Sequence, residues 1–209
     1  MSYHDEQESI ESLKAWWARW GNLTTWILLA ALLASAGWNG WNYWQRHQAA
    51  QAAGLYEAAQ QAMAGGDKVQ IARAVGDMES QYGSTPYAQM TALAAAKALY
   101  TAGDAAGAKT QLQWAIDHTK DDGYREIARL RLAQLLLDEK AYDAGLALLD
   151  GTPPEGFKAL VADRRGDLLA AQGKTDDARG AYQLAMTSLP PQDSQLRLLV
   201  EFKLAALGS

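Results

Sequence analysis

The longest uncharged stretch of this chain determines what its first part can be. No charged residue occurs between Arg19 and Arg46, and the centre of the stretch reads WILLAALLASAGW. The apolar zone from Leu23 to Trp44 is long enough to cross a bilayer, because about 20 helical residues span its hydrocarbon layer. Indole rings prefer the headgroup level, and tryptophans stand at both ends: Trp16, Trp17 and Trp20 before the zone, Trp38, Trp41 and Trp44 at its C-terminal end. The sequence predicts a transmembrane helix over residues 21–45, with these tryptophans in contact with membrane lipid.

A cleaved signal peptide is the alternative interpretation of this stretch. Ala34-Ser35-Ala36 resembles a cleavage site, but signal peptides begin with a positively charged region. The residues before the span carry four acidic and two basic side chains. The apolar run also continues past Ala36 into a tryptophan belt. We therefore expect an uncleaved anchor.

Basic residues near the span indicate its orientation. Lys14 and Arg19 precede it, whereas only Arg46 follows it closely. Because basic residues are retained on the cytoplasmic side, we expect residues 1–20 to be a cytoplasmic tail. Apolar residues of this tail at helical spacing, from Ile10 to Trp20, predict an amphipathic helix. It either lies on the inner leaflet or extends the membrane helix with a kink at Gly21.

Residues 46–209 have the pattern of stacked helical hairpins. Turn signals recur at even spacing, at Gly65-Gly66-Asp67, Gly103-Asp104, Glu139-Lys140 and Gly173-Lys174. Around Gly173, small and large residues follow the spacing of the tetratricopeptide repeat: Gly166, Leu169, Ala178, Tyr182, Ala185 and Pro190. Such hairpins bury their apolar faces only against neighbours. The sequence predicts an all-α fold, in which one N-terminal transmembrane helix precedes an α-solenoid of tetratricopeptide-like hairpins.

The same offsets identify the other hairpins. Around Gly103 they select Ala96, Leu99, Ala108, Leu112, Ala115 and Lys120, of which all but Lys120 match in type. Around Glu139 they select Leu132, Leu135, Ala144, Leu148, Gly151 and Gly156, a partial match. A first, degenerate hairpin is expected over residues 48–82, and residues 196–207 are expected to form a terminal capping helix.

Local signals predict where several of these helices begin. Thr85, Asp104 and Thr175 are expected to cap helix N-termini, with Pro86 at the first position of its helix.

Composition and motifs exclude most chemistry. The chain has no cysteine and a net charge of −5, which argues against thiol chemistry and against a nucleic-acid partner held by phosphate contacts. None of the three histidines has a partner at metal-ligand spacing. Asp163 and Asp167 lie on one helix face, but Arg164 and Arg165 between them favour a solvated charged face over acid–base catalysis. We expect no catalytic, metal or cofactor site.

The interpretation that remains is a protein-binding surface. Mapping the groove positions of the repeat selects Lys97, Tyr100, Arg129, Asp163 and Asp167 as partner-binding candidates. The alternative is that they are ordinary solvated surface residues. The implied activity is to hold another polypeptide near the membrane. A scaffold or adaptor for one cell-envelope complex is the alternative. A membrane-anchored hydrolase would need a buried polar cluster, and the sequence offers none.

Three stretches resemble one family. The first is the acidic run before Leu13-Lys14-Ala15-Trp16-Trp17, and the second is the exit sequence with Gly37-Trp38, Tyr43-Trp44 and His47-Gln48. The most specific is the run from Gly156 to Gly173, which begins GFKALVADRRGDLL. Together they resemble the YfgM family, ancillary subunits of the bacterial SecYEG translocon.

This resemblance implies a location, partners and a role. The location is the bacterial inner membrane, with a single span and the repeat domain, residues 46–209, in the periplasm. The partners are SecYEG and the membrane-anchored periplasmic chaperone PpiD. The implied role is to handle polypeptides as they emerge from the translocon. A regulatory role of the cytoplasmic tail, residues 5–19, is also implied, and the family has no catalytic residues to carry over.

Overall fold

The computed structural model describes residues 3–190 and 192–208. It divides into two compact units, Met1–Ala50 and Gln51–Ser209. The regular elements of the described residues are all helical: α1 (Tyr3–Gly65), α2 (Lys68–Tyr82), α3 (Pro86–Thr101), α4 (Ala105–His118), α5 (Asp122–Asp138), α6 (Tyr142–Leu148), the 3₁₀ turn Glu155–Phe157, α7 (Lys158–Ala171), α8 (Thr175–Ser188) and α9 (Ser194–Ala206). The predicted all-α class is confirmed.

Helix α1 contains the apolar stretch. Among the described residues it is the one helix that is long and apolar enough to cross a membrane. Its polar side chains bond to carbonyls of the preceding turn, such as Thr25 to Gly21 at 2.7 Å and Ser35 to Ala31 at 2.7 Å. Such internal bonds keep hydroxyl groups satisfied where water is absent. The helix also runs through Gly21 without interruption, so the predicted tail from Tyr3 onward and the apolar stretch belong to one helix.

The six tryptophans that flank the apolar stretch are all exposed. Trp38 has the largest exposed fraction, 69%, and Trp20 the smallest, 47%. Trp41 and Trp44 form a tilted ring pair with centroids 5.3 Å apart. The protein leaves these rings uncovered, and they are therefore accessible to lipid headgroups. Their position at the membrane interface stays a prediction.

The described residues of the second unit form four hairpins and a final helix. The end of α1 packs against α2, where Ala52 and Met78 share one buried cluster, and the pairs α3–α4, α5–α6 and α7–α8 follow. At each tip one residue adopts a left-handed conformation: Gly66, Gly103, Lys140 and Gly173, with φ between 62° and 77°. Helix α9 packs against α8, as expected for the capping helix.

One register unites the four hairpins when it is counted from the left-handed residue. The position seven residues before it is buried in every hairpin, and so are the positions five and nine residues after it. These positions hold Ala59, Ile71 and Val75; Ala96, Ala108 and Leu112; Ala133, Gly145 and Leu149; and Gly166, Ala178 and Tyr182. The first hairpin therefore follows the same packing rule as the others, although its sequence looks degenerate.

The prediction for the third hairpin was wrong by one residue. The repeat offsets predict Glu139 as the turn position, but Lys140 is the left-handed residue. The amides of Lys140 and Ala141 donate to the carbonyls of Leu137 and Leu136 at 3.0 and 2.8 Å, closing the helix end as in a Schellman motif. Because no glycine marks this turn, the sequence hid the shift. Gly145, rather than Ala144, is the small buried residue.

The predicted caps have mixed outcomes. Asp104 accepts from the Gly107 amide at 2.9 Å, which confirms it as a cap. Pro86 begins α3, but the Thr85 hydroxyl donates back to the Tyr82 carbonyl and makes no cap bond. Thr175 is itself the first residue of α8, so its predicted capping role was wrong.

Candidate partner-binding face

The face formed by α3, α5 and α7 carries a row of polar contacts that links the hairpins. Tyr100 on α3 donates its hydroxyl hydrogen to Asp138 Oδ2 on α5 at 2.7 Å. Asp138 Oδ1 accepts from the Gln134 amide at 2.8 Å. Gln134 in turn accepts from the Arg164 guanidinium on α7. We call the surface around these four residues the first-helix face, because each lies on the first helix of its hairpin.

At one end of this row is a cluster that binds the capping helix. Lys203 of α9 donates to both carboxylate oxygens of Asp163, at 2.7 and 2.8 Å. It also reaches Asp167 at 2.7 Å. Asp167 further accepts from the Tyr182 hydroxyl at 2.9 Å and pairs with Arg164. Tyr182 also lies beneath the Lys203 ammonium, 5.6 Å from ring centroid to nitrogen.

This geometry corrects the interpretation of Asp163 and Asp167 as a solvated face. Asp163 is only 5% exposed, since α9 covers the surface that an isolated hairpin would leave open. Burial raises the pKa of Asp163, and the Lys203 hydrogen bond opposes that rise. Burial, with the neighbouring Asp167, also raises the pKa of Tyr182.

The cluster is the buried polar group that a hydrolase would require, yet it is internally paired. The two carboxylates are neutralised by Lys203 and Arg164, and the Tyr182 hydroxyl hydrogen is donated to Asp167. Because removing one partner of a buried ion pair leaves an uncompensated charge, this network favours the position of α9 against α7. Across the described residues, no three His, Asp or Glu side chains converge as a metal site would require.

Arg129 has an internal role in this structure. Its Nε donates to the Leu148 carbonyl at 2.8 Å, and one terminal nitrogen reaches the Asp150 carbonyl at 2.7 Å. The other terminal nitrogen pairs with buried Glu126 at 3.1 Å. Arg129 therefore fixes the end of α6 against α5, and its contact with a partner remains a prediction.

Lys97 and Tyr100 line an apolar cleft of about 360 Å³. Ala96, Leu112 and Leu135 provide its buried apolar lining. Arg131 and Gln134 complete the rim. Tyr100 is 45% exposed, and the hydrogen bond to Asp138 raises the pKa of its hydroxyl. The structure thus brings Lys97 and Tyr100 together at one cleft, while Asp163 and Asp167 belong to the cluster beneath α9.

Sequence reasoning did not predict the contacts between helices made by five residues that organise this face. Their partners stand 30 to 40 positions away in the chain, about one repeat. A search for polar residues spaced by one repeat length would have found some of them. These five residues are Arg131, Gln134, Asp138, Arg164 and Lys203.

Comparison with known proteins agrees with this architecture. The family model for the tetratricopeptide repeat-like domain matches residues 14–209. A Neisseria gonorrhoeae protein named Ancillary SecYEG translocon subunit is 30% identical over 97% of this chain and 97% of its own length. An Escherichia coli protein of the same name is 29% identical over 89% of each chain. A Haemophilus influenzae protein, again with that name, is 28% identical over 92% of this chain and 94% of its own length.

The hairpin register and the apolar α1 define the class: a tetratricopeptide-like repeat protein with one candidate membrane helix. Within that class, the near full-length similarity to the Neisseria relative shows that the chain belongs to the YfgM family.

Proposed function

We propose that this protein is an ancillary subunit of the SecYEG translocon that holds a polypeptide-binding repeat domain at the periplasmic exit. The observation that carries the proposal is the near full-length relationship to three proteins named Ancillary SecYEG translocon subunit. The domain would bind segments of translocated proteins and pass them to periplasmic chaperones such as a PpiD-like protein. We assign it no catalytic activity, because tethering and binding require none.

The proposed arrangement places residues 1–20 in the cytoplasm, 21–45 in the inner membrane and 46–209 in the periplasm. Lys14 and Arg19 before the span, against Arg46 after it, support this orientation. The exposed tryptophans at both ends of the apolar stretch support a spanning segment.

Tethering supplies the mechanism. The anchor holds the domain beside the translocon exit. Binding of the domain to an emerging chain then becomes effectively intramolecular, at an effective concentration of roughly millimolar. Weak and sequence-tolerant contacts on the first-helix face would then hold an unfolded segment long enough for a chaperone to bind. The open apolar cleft at Tyr100 suits contacts of this kind.

A scaffold that binds one folded envelope protein is the second candidate. Site-specific photo-crosslinking in intact cells separates the two. A photoreactive amino acid at Tyr43, at the C-terminal end of the apolar stretch, should capture translocon subunits. The same group at Tyr100 should capture many secreted proteins or a membrane chaperone, whereas at the exposed control Asp176 on α8 it should capture few. One folded partner at both sites, without translocon subunits, would favour the scaffold.

Topology can be tested independently because the chain contains no cysteine. A single cysteine replacing Asp176 should react with a membrane-impermeant maleimide in spheroplasts. A cysteine replacing Ser12 should react only after lysis. The reverse pattern would overturn the proposed orientation.

A further inference from the structure

Two apolar clefts lie on either side of Lys97. The first is the cleft of about 360 Å³ with Leu112 and Leu135. The second, of about 610 Å³, is lined by Met63 and Ala64 from the end of α1, by Ala94 and Ala98 of α3, and again by Lys97. Lys97 is therefore the ridge between two apolar depressions. Their volumes fall within the range of about 300–1,000 Å³ typical of ligand pockets.

Positive charge at this ridge is not neutralised from within the protein. Among the described residues, the Lys97 ammonium has no hydrogen-bond acceptor and no ion-pair partner. Arg131, on the rim of the first cleft, uses one nitrogen to bond the Leu93 carbonyl at 3.0 Å. Its other donors have no acceptor in the part of the chain that the structure describes.

Four basic residues that hold neighbouring segments together contrast with these two. Arg129, Arg164, Arg165 and Lys203 are each paired with a carboxylate. Asp138 is the carboxylate of the first-helix face near the cleft, and its two oxygens accept from Gln134 and Tyr100 rather than from Lys97 or Arg131. Lys97 and Arg131 thus lie beside apolar clefts without a carboxylate partner among the described residues. The four paired cations instead hold neighbouring segments together.

We propose that these two clefts bind an extended polypeptide segment in which an acidic residue stands between apolar residues at two-residue spacing. In an extended chain, residues two apart point to the same side. Two apolar side chains would enter the clefts, and the carboxylate between them would meet Lys97 and Arg131. This inference rests on the proposed polypeptide-binding function, and it specifies which segments the domain prefers.

The test uses the full chain in detergent micelles and fluorescein-labelled peptides followed by anisotropy. The probe contains Leu-Ser-Glu-Ser-Leu, and two matched peptides carry Gln or Lys in place of Glu. The Glu peptide should bind about tenfold more tightly than the Lys peptide, because a close charge pair is worth about 1.4 kcal/mol or more. Its affinity should fall as salt is raised.

Charge reversal in the protein provides the decisive comparison. K97E should weaken binding of the Glu peptide by about tenfold and strengthen binding of the Lys peptide. Removing the positive charge alone, in R131Q, should weaken binding of the Glu peptide. K174E, at an exposed lysine of the last hairpin, is the control and should change neither affinity. Circular dichroism of each variant verifies that it is folded.

Equal affinity for the three peptides, or a K97E variant with unchanged preference, would overturn the inference. If Tyr100 still crosslinked to secreted proteins in that case, the polypeptide-binding function would stand without this selectivity. If neither peptides nor secreted proteins were captured, both proposals would fail.

Discussion

The ammonium of Lys203 lies 2.7 Å from Asp163 Oδ1 and joins two residues 40 positions apart in the chain. This ion pair joins a cation of α9 to a nearly buried carboxylate of α7. The same ammonium reaches Asp167, so one side chain contacts two carboxylates one helical turn apart, and Arg164 supplies the second positive charge. The capping helix is therefore held by charge as well as by the apolar contacts of Val200 with the last hairpin.

Replacing Lys203 with Met should destabilise the last hairpin by about 2–3 kcal/mol, because it leaves Asp163 buried without its cation. The value lies below that of a fully buried pair, since Lys203 retains some exposure. Hydrogen exchange of the full chain should show faster exchange across α9 and α8. K174M should leave exchange unchanged, and equal protection in K203M would show that apolar packing alone holds α9.

The effect of K203M should depend on pH. Burial raises the pKa of Asp163 and the Lys203 bond opposes that rise, so removing Lys203 raises this pKa further. A raised carboxyl pKa in the folded state lowers stability above that pKa, and the loss disappears as the pH falls toward the unfolded value of about 3.9.

The difference in melting temperature between K203M and the parent should therefore be largest near neutral pH and shrink in acid. A double variant, K203M with D163N, removes the titrating group. A pH dependence in the double variant as steep as in K203M would assign the effect to another residue.

Gly166 should not tolerate a side chain. A Cβ at this position would lie 2.5 Å from Tyr182 Cδ1, and Tyr182 is held by its hydrogen bond to Asp167. G166A should lower the free energy of unfolding by about 2 kcal/mol through overpacking. The control is Gly180 of α8, where an added Cβ meets nothing within 4 Å. G180A should be neutral or raise stability by up to about 1 kcal/mol, and urea unfolding of both variants measures the difference.

The third hairpin turn can be improved. Lys140 has a φ of 62°, which costs a non-glycine residue about 1 kcal/mol. K140G should raise stability by roughly 0.5 kcal/mol, after the larger unfolded-state entropy of glycine is subtracted. G173A, at the corresponding turn with φ of 77°, should lower stability by about 1 kcal/mol. A melting temperature that rises in K140G and falls in G173A would support the shared left-handed position. A lower melting temperature in K140G would contradict it.

Residues whose signal is local could be predicted from the sequence. The uncharged stretch between Arg19 and Arg46 predicted the long apolar helix, and Gly103 and Gly173 predicted two turns at their observed positions. The third turn failed because Lys140 gives no local sign of a left-handed conformation. Thr175 failed as a cap because it already lies inside the first turn of α8, and Lys174 is the boundary residue.

The candidate face was harder to predict than the fold. Lys97 and Tyr100 were found from repeat positions and do line a cleft. Arg129, selected by the same rule, is bound to the end of α6. The position in the repeat fixes the direction in which each side chain points. The partners that the side chain meets come from irregular segments, such as the short α6 before Pro153 and Pro154, and so Arg129 differs from Lys97 and Tyr100.

The sequence by itself determined the apolar helix, the all-α class, the hairpin repeat and the family. These depend on periodicity and on residues close in the chain, where side-chain direction follows helix geometry. Only the tertiary structure decided which charges are neutralised. Lys203 folds back onto Asp163 and Asp167, while Lys97 and Arg131 remain without carboxylate partners among the described residues. Whether a charge is paired depends on contacts between helices a repeat or more apart, and charge spacing along one helix carries no information about them.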